Sequence, residues 1–250
     1  MRALRIILIT VVVLGGLFVA ADRIAVNIAE SKAADRIKAT EGLTNDPSVS
    51  IEGFPFLTQV ASGSLDDVKI GIKDYEASST GTTTASGTDS ILIDDLTADM
   101  KGVSFNGDYS SATAASASGT ATVSYAQLLK AAKSEPTEVA SGVTAQVVSL
   151  SDGGDGKIKV GVKATLFGKT LAQPVYVLAT TTVVDGNTVR VKADTAPNLG
   201  VELASSTLRQ VTDFQQKIDD LPGGVSLDTV QAAKDGVEIS VKGSDVKLVG

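Results

Sequence analysis

The sequence predicts an α+β fold: a mainly antiparallel sheet with a long helix packed on it, and an apolar helix ahead of both. Three observations predict it. From Pro47 onward, apolar and polar residues alternate in short runs separated by Asp/Gly turns. Residues 201–220 carry an apolar stripe at helical spacing. The chain opens on an uncharged apolar segment.

That segment, "MRALRIILITVVVLGGLFVAAD", places Arg2 and Arg5 before an apolar run from Ile6 to Ala21. As a helix it covers about 24 Å, less than the ~30 Å hydrocarbon core. The length suits a long signal-peptide core, cut after Val19-Ala20-Ala21, or a short signal anchor; both readings stay open. Flanking arginines and the terminal position weigh against a buried globular helix. Arg2 and Arg5 point the N-terminus inward, opposed by Arg23, Lys32, Arg36 and Lys38 beyond the segment. Residues 1–21 are therefore expected to be a signal peptide or signal anchor. Residues 22–250 are expected to form one elongated domain outside the plasma membrane.

Residues 22–41 are Ala-rich, with Ile24, Ile28 and Ile37 near helical spacing and Gly42 as the stop. Strands follow. Val68, Ile70 and Ile72 alternate with polar or small neighbours, as do Ile158, Val160 and Val162, then Val189 and Val191, then Val237, Ile239 and Val241. Hairpin turns are predicted at "DGGDG" (152–156), "DGN" (185–187) and "KDG" (234–236). "PVYVLATTTVV" (174–184) is apolar on both faces through Leu178, as expected of a strand covered on two sides. The Ser/Thr/Ala/Gly tract from Ser110 to Ser124 reads as a solvated edge strand in preference to a small-residue strand that leaves room beside it. Residues 125–133 form a short helix. Residues 201–220 form a long one, with Leu208, Val211, Phe214 and Ile218 on its stripe and "LPGG" (221–224) ending it.

Composition narrows the function. A net charge of −7 offers no basic field for nucleic acid. The chain has no His and no Cys, which removes zinc sites built on those ligands, disulfides, and His-dependent nucleophilic triads. "FGKT" (167–170) lacks the upstream glycine of a phosphate loop, since Lys163 stands there, and leads into a strand. "GVSFN" (102–106) lacks the last glycine of a nucleophile elbow. Asp152 and Asp155 read as turn residues rather than calcium ligands. The pairs Asp66-Asp67, Asp94-Asp95 and Asp219-Asp220 read as solvated residues at element ends. No catalytic residue, metal site or cofactor is expected.

One stretch stands out. The chain has ten Phe and Tyr residues and no Trp, yet "GFPFL" (53–57) sets two phenylalanines around a proline. Pro55 lacks a ladder donor and fixes its own φ, which predicts a bend. The plainer outcome is closure of the core where helix hands over to sheet; the sharper one is an apolar lip.

Several segments taken in order resemble the LmeA family of phospholipid-binding proteins from actinobacterial cell envelopes. They are "PSVSIEGFPFLTQVASGSLDDVKI" (47–70), "ILIDDLTADMKGVSF" (91–105), "ATVSYAQLL" (121–129) and "LPGGVSLDTVQAAKDGVEISVKGSDVKL" (221–248). The most specific part is Gly53 to Gly63; residues 130–200 match only in texture. The resemblance implies an exported or membrane-tethered protein of the tubular lipid-binding type, in which a long, curved, mainly antiparallel sheet wraps around a long helix and leaves an apolar groove for acyl chains. Family members are implicated in handling envelope phospholipids and, in mycobacteria, in building lipid-anchored mannans. No catalytic residues carry over.

The expected function is thus non-enzymatic phospholipid binding or transfer, with the membrane engaged through the N-terminal helix. Residues expected to border acyl chains are Phe54, Phe56 and Leu57, the helix stripe Leu208, Val211, Phe214 and Ile218, and Val175 and Val177. Lys157, Lys159 and Lys163 would have to supply head-group contact, although a wet strand face is the simpler reading. The rival function is an envelope adaptor that docks a membrane enzyme and carries no lipid.

Overall fold

A computed structural model describes residues 2–78, 90–107, 111–131, 136–195, 213–217 and 224–249. The apolar N-terminus and the Ala-rich segment form one helix, α1 (Arg2–Glu41). No proline or capping residue interrupts the two, so the helix runs on for about 60 Å. Gly42, at φ 64°, ends it, and the Leu43 N–H donates to the Lys38 carbonyl. Up to Ala21 every described residue is exposed; burial begins at Asp22 and recurs one turn later at Val26.

A six-stranded antiparallel sheet follows. It is built from β1 (Ser48–Glu52), β2 (Ser64–Ser78), β3 (Ser90–Phe105), β4 (Ala112–Ser124), β12 (Val225–Ala232) and β13 (Gly236–Val249), in the order β1-β2-β3-β4-β13-β12. It curls into a half-barrel. A short helix, α2 (Phe56–Ser62), links β1 to β2, where the residue pattern had suggested only the approach to a strand. Gly63, left-handed at φ 76°, returns its N–H to Gln59 and Val60 and turns the chain into β2.

Between β4 and β12 the chain leaves this sheet and builds a second one. A short helix α3 (Tyr125–Ala131), as expected at its start, leads into β5 (Thr137–Ala140), β6 (Val143–Asp152), β7 (Ile158–Leu166), β8 (Lys169–Thr170), β9 (Val175–Val184), β10 (Thr188–Ala193) and β11 (Phe214–Lys217). The order is β11-β10-β9-β7-β6-β5, with β8 beside β7, again antiparallel. All three predicted turns join hairpins: β6 to β7, β9 to β10 and β12 to β13. The strands thus divide between two sheets instead of forming one long one.

The sheets meet over one core. Val143, Ala145, Val160, Val162, Val177, Ala179 and Val191 face Val230, Ala232 and Val237, with Tyr125 and Leu128 of α3 packed at the margin. Hydrogen bonds seal the joint along the free edge of β12. Its Leu227 N–H donates to Gly186 in the β9–β10 turn (2.7 Å), and Ala232 N–H donates to Gly156 in the β6–β7 turn (3.1 Å). An open edge strand, prone to pair with another chain, is thereby covered.

Four expectations need correction. The predicted helix over 201–220 does not extend through its described part, since Phe214–Lys217 is a strand paired with β10. Without it β10 would present unpaired backbone groups, and that tertiary demand overrides the helical spacing. The rest of the segment, with Leu208, Val211 and Ile218, lies outside the described residues. Ser110–Ser124 yields no edge strand: β4 is an inner strand between β3 and β13. β9 is not covered on both faces, because Val177 and Ala179 are buried while Tyr176 and Leu178 are exposed. Asp66-Asp67 and Asp94-Asp95 lie within β2 and β3 rather than at their ends; Asp219-Asp220 lies outside the described residues.

Candidate functional site

Three features of the six-stranded sheet bear on function: the loop and helix at its β1 end, its apolar face, and a trough across its polar face.

The β1 end is organised by buried polar contacts. Asp22, fully buried on α1, accepts the backbone N–H of Leu57 at 2.8 Å and pairs with Arg23 at 2.6 Å. Its carboxylate therefore serves α2 as a capping acceptor supplied from another helix, where Pro55 itself offers no side-chain cap. Gln59 of α2 is also buried. Its Oε1 accepts the Asp66 N–H at 2.7 Å and its Nε2 reaches the Glu52 carbonyl at 3.4 Å, joining the end of β1 to the start of β2. Gly53, at φ 98°, passes so close to the Gln59 amide and the Asp66 carboxylate that a Cβ would strike both.

These contacts sort the aromatic stretch. Phe56 is buried, whereas Phe54 is 57% exposed and Leu57 36% exposed. The Arg23 guanidinium lies 5.3 Å from the centroid of the Phe54 ring, a cation–π distance. The two phenylalanines therefore part company, Phe56 turning into the core and Phe54 outward.

Register defines the sheet's faces. Val49, Ile70, Ala98, Gly119, Val241 and Leu227 stand opposite one another across all six strands, and Ile51, Val68, Met100, Ala117, Gly243 and Val225 form the next row of the same face. Met100, Val103, Ala114 and Val246 are buried there, with Leu65, Val68, Ile70 and Val225 half-buried around them. The other face carries Ser50, Lys69, Asp99, Ser118, Lys242 and Ser226 in one row, and Ser48, Gly71, Thr97, Thr120, Ser240 and Thr229 in another.

The trough, about 540 Å³, touches residues 48–50, 69–71, 97–99, 118–120, 240–242 and Asp228. Its lining takes in most of both polar rows together with Val49, Ile70, Ala98, Gly119 and Val241 between them, and nothing from the row of Ile51, Val68 and Met100, so it opens on the polar face. Thr97 and Thr120 share a hydroxyl hydrogen bond across it (2.7 Å). Lys242 pairs with Asp228. Lys69 donates to Glu52 at 3.0 Å, and that bond, with the charges of Glu52, Asp67 and Asp99, holds its ammonium above the ordinary lysine range. One oxygen each of Asp67 and Asp99 is buried without a hydrogen-bond partner. Hydroxyls and charges thus stand around the trough, while Val49, Ile70, Ala98 and Val241 also reach its lining.

Val175 is half-buried at the start of β9, and Val177 lies in the inter-sheet core, away from Phe54 and Leu57. Phe214 sits on β11 at the edge of the second sheet. Of the basic residues, Lys157 is bound to Asp194 at 2.7 Å, Lys159 lies 4.6 Å from the Tyr176 ring centroid, and Lys163 is exposed on the same face. Asp152 accepts the Gly154 N–H at 2.8 Å and serves its turn. Sequence reasoning missed Asp22 and Gln59. Glycine and proline around α2 signalled a turn there, but nothing local marks a partner thirty-five residues away.

A curled, sheet-rich domain with one apolar face, joined to an exposed apolar helix, defines a class of protein suited to lipid contact. A family model described as LmeA-like phospholipid-binding matches residues 20–242, and the chain belongs to that family. No curated protein and no solved structure matches it.

Proposed function

We propose that this protein is a non-enzymatic phospholipid-binding or lipid-transfer protein, exported and held at the outer face of the plasma membrane by α1. Acyl chains lie against the apolar face of the six-stranded sheet, and Phe54 and Leu57 form the lip at its β1 end. Family membership supports the ligand class. The observation that carries the placement is the double apolar row from Val49 and Ile51 to Leu227 and Val225. Each CH₂ of a lipid tail withdrawn from water there contributes about 0.8 kcal/mol, so the surface needs no specific polar contact to hold a two-chain lipid. Support of lipoglycan assembly, through delivery of bound lipid to an envelope enzyme, belongs to the same proposal.

Native mass spectrometry tests it. The purified protein is expected to carry phospholipid, or to take it up from liposomes, in a defined stoichiometry. A protein that remains lipid-free after both treatments overturns the proposal.

A further inference from the structure

We infer that Phe54 and Leu57, together with Ile24 and Ile28 of α1, form a seat that lowers the β1 end of the domain into the headgroup–acyl boundary of a phospholipid leaflet. The inference rests on the proposed role of α1 as a membrane anchor. It goes further by assigning a membrane-contact surface to the folded domain itself.

The first argument is length. From Ile6 to Ala21 the helix covers about 24 Å, short of a ~30 Å hydrocarbon core. A span this short is accommodated by thinning the bilayer or by recruiting flanking apolar surface. Ile24 and Ile28, four residues apart on one side of α1, are both exposed. Counting through Ile28 lengthens the apolar reach to about 34 Å.

Charge gives the second argument. Asp22 and Arg23 interrupt that reach in the sequence, yet neither presents a bare charge. Asp22 is fully buried, bonded to the Leu57 N–H and paired with Arg23. Arg23 lies over the Phe54 ring with its side chain half-exposed, an arrangement that lets the guanidinium reach lipid phosphate while its stem lies among apolar groups. Asn27, exposed on the following turn, keeps the seat at the boundary and out of the hydrocarbon centre.

Continuity is the third. The Asp22–Leu57 hydrogen bond fixes the loop at the level where the exposed apolar helix ends, so Phe54 and Leu57 meet the same leaflet that α1 crosses. An exposed phenylalanine and leucine beside an arginine match the composition of an interfacial contact. The apolar face begins just behind them with Ile51, Leu65 and Val68, so lipid tails can pass from leaflet to sheet without crossing water.

The chain has no Trp, so Phe54→Trp supplies a single tryptophan that can be excited selectively over the tyrosines. The full-length variant is reconstituted into phosphatidylcholine/phosphatidylglycerol vesicles with brominated lipids, beside Phe167→Trp on the exposed β7–β8 turn. The expected result is blue-shifted emission at position 54, quenched by bromines near the headgroup, while position 167 is quenched by aqueous iodide. Iodide quenching at both positions overturns the seat, provided the protein floats with the vesicles. Failure to float overturns the anchor on which it rests. Lipid uptake by native mass spectrometry is scored on the same samples, so loss of the seat and loss of lipid binding are told apart. Leu57→Trp repeats the measurement should Phe54→Trp misfold.

Discussion

The carboxylate of Asp22 accepts the backbone N–H of Leu57 at 2.8 Å, tying the first buried turn of the long helix to the start of α2. This bond joins the apolar N-terminal segment to the body of the protein. Leu57 N–H belongs to a helix terminus with no acceptor of its own, so removing the carboxylate leaves a donor stranded beside an unpaired Arg23. Asp22→Ala should therefore loosen α2 locally. Hydrogen exchange is expected to accelerate about five- to tenfold at Leu57, with amides of the inter-sheet core unchanged. Asp22→Asn, which keeps an acceptor, should lie between the variant and the native protein.

Gly119 supplies a second prediction. It sits mid-strand in β4, and a Cβ there would lie 2.9 Å from the Thr97 carbonyl oxygen and 3.1 Å from Val241 Cγ2. The first neighbour is main chain and cannot step aside. Gly119→Val is thus expected to destabilise the protein by about 1–3 kcal/mol through overpacking, despite the strand propensity gained. Urea unfolding measures it. Ser116→Val, on the exposed polar face of the same strand, serves as the control and should stay within about 0.5 kcal/mol of the native protein.

Local rules made part of this architecture legible. Two of the three Asp/Gly turns declare themselves because left-handed backbone is required there, and Asp155, Asp185 and Gly186 all adopt positive φ. Period-two runs marked most strands, and the chain's break at Gly42 marked the end of α1. What stayed hidden depends on partners remote in sequence. Residues 112–124 read as an edge because they are small and polar, but their place between β3 and β13 is set by a return of the chain more than a hundred residues later. Phe214 has helical spacing to its neighbours and still joins β10, whose edge needs a partner. In the candidate site, the aromatic stretch was visible as an oddity; the division of labour between Phe54 and Phe56 was not, because it follows from Asp22 and Gln59.

Tyr125 gives the pH dependence. Its hydroxyl donates to the Ala233 carbonyl at 2.8 Å, and burial, then the charge of Asp152, push its pKa up to about 12. An unfolded tyrosine titrates near 10. The folded state therefore binds this proton more tightly, and the stability it contributes is complete below about pH 10 and is lost as pH rises from 10 through 12. Tyr125→Phe should flatten the stability profile across that window, at the cost of an unpaired Ala233 carbonyl near neutrality. Urea midpoints taken between pH 8 and pH 12, with tyrosinate absorbance on the same samples, test the sign.

The last prediction separates residues that hold the protein together from those that hold lipid. Val177 is 5% exposed in the inter-sheet core, and truncation to alanine there removes two buried methyl groups. Val177→Ala is expected to cost about 2 kcal/mol in stability and to leave phospholipid uptake per folded molecule unchanged. Val68 lies on the apolar face of the other sheet and is only half-buried. Val68→Ser keeps a compact side chain there while making that part of the face polar, so its main effect should fall on tails rather than on folding. Phospholipid uptake from liposomes is expected to fall severalfold, with a smaller stability loss than Val177→Ala. If Val177→Ala abolished uptake while Val68→Ser left it intact, the acyl chains would have to lie in the second sheet, and the apolar face of the first would be only an ordinary core surface.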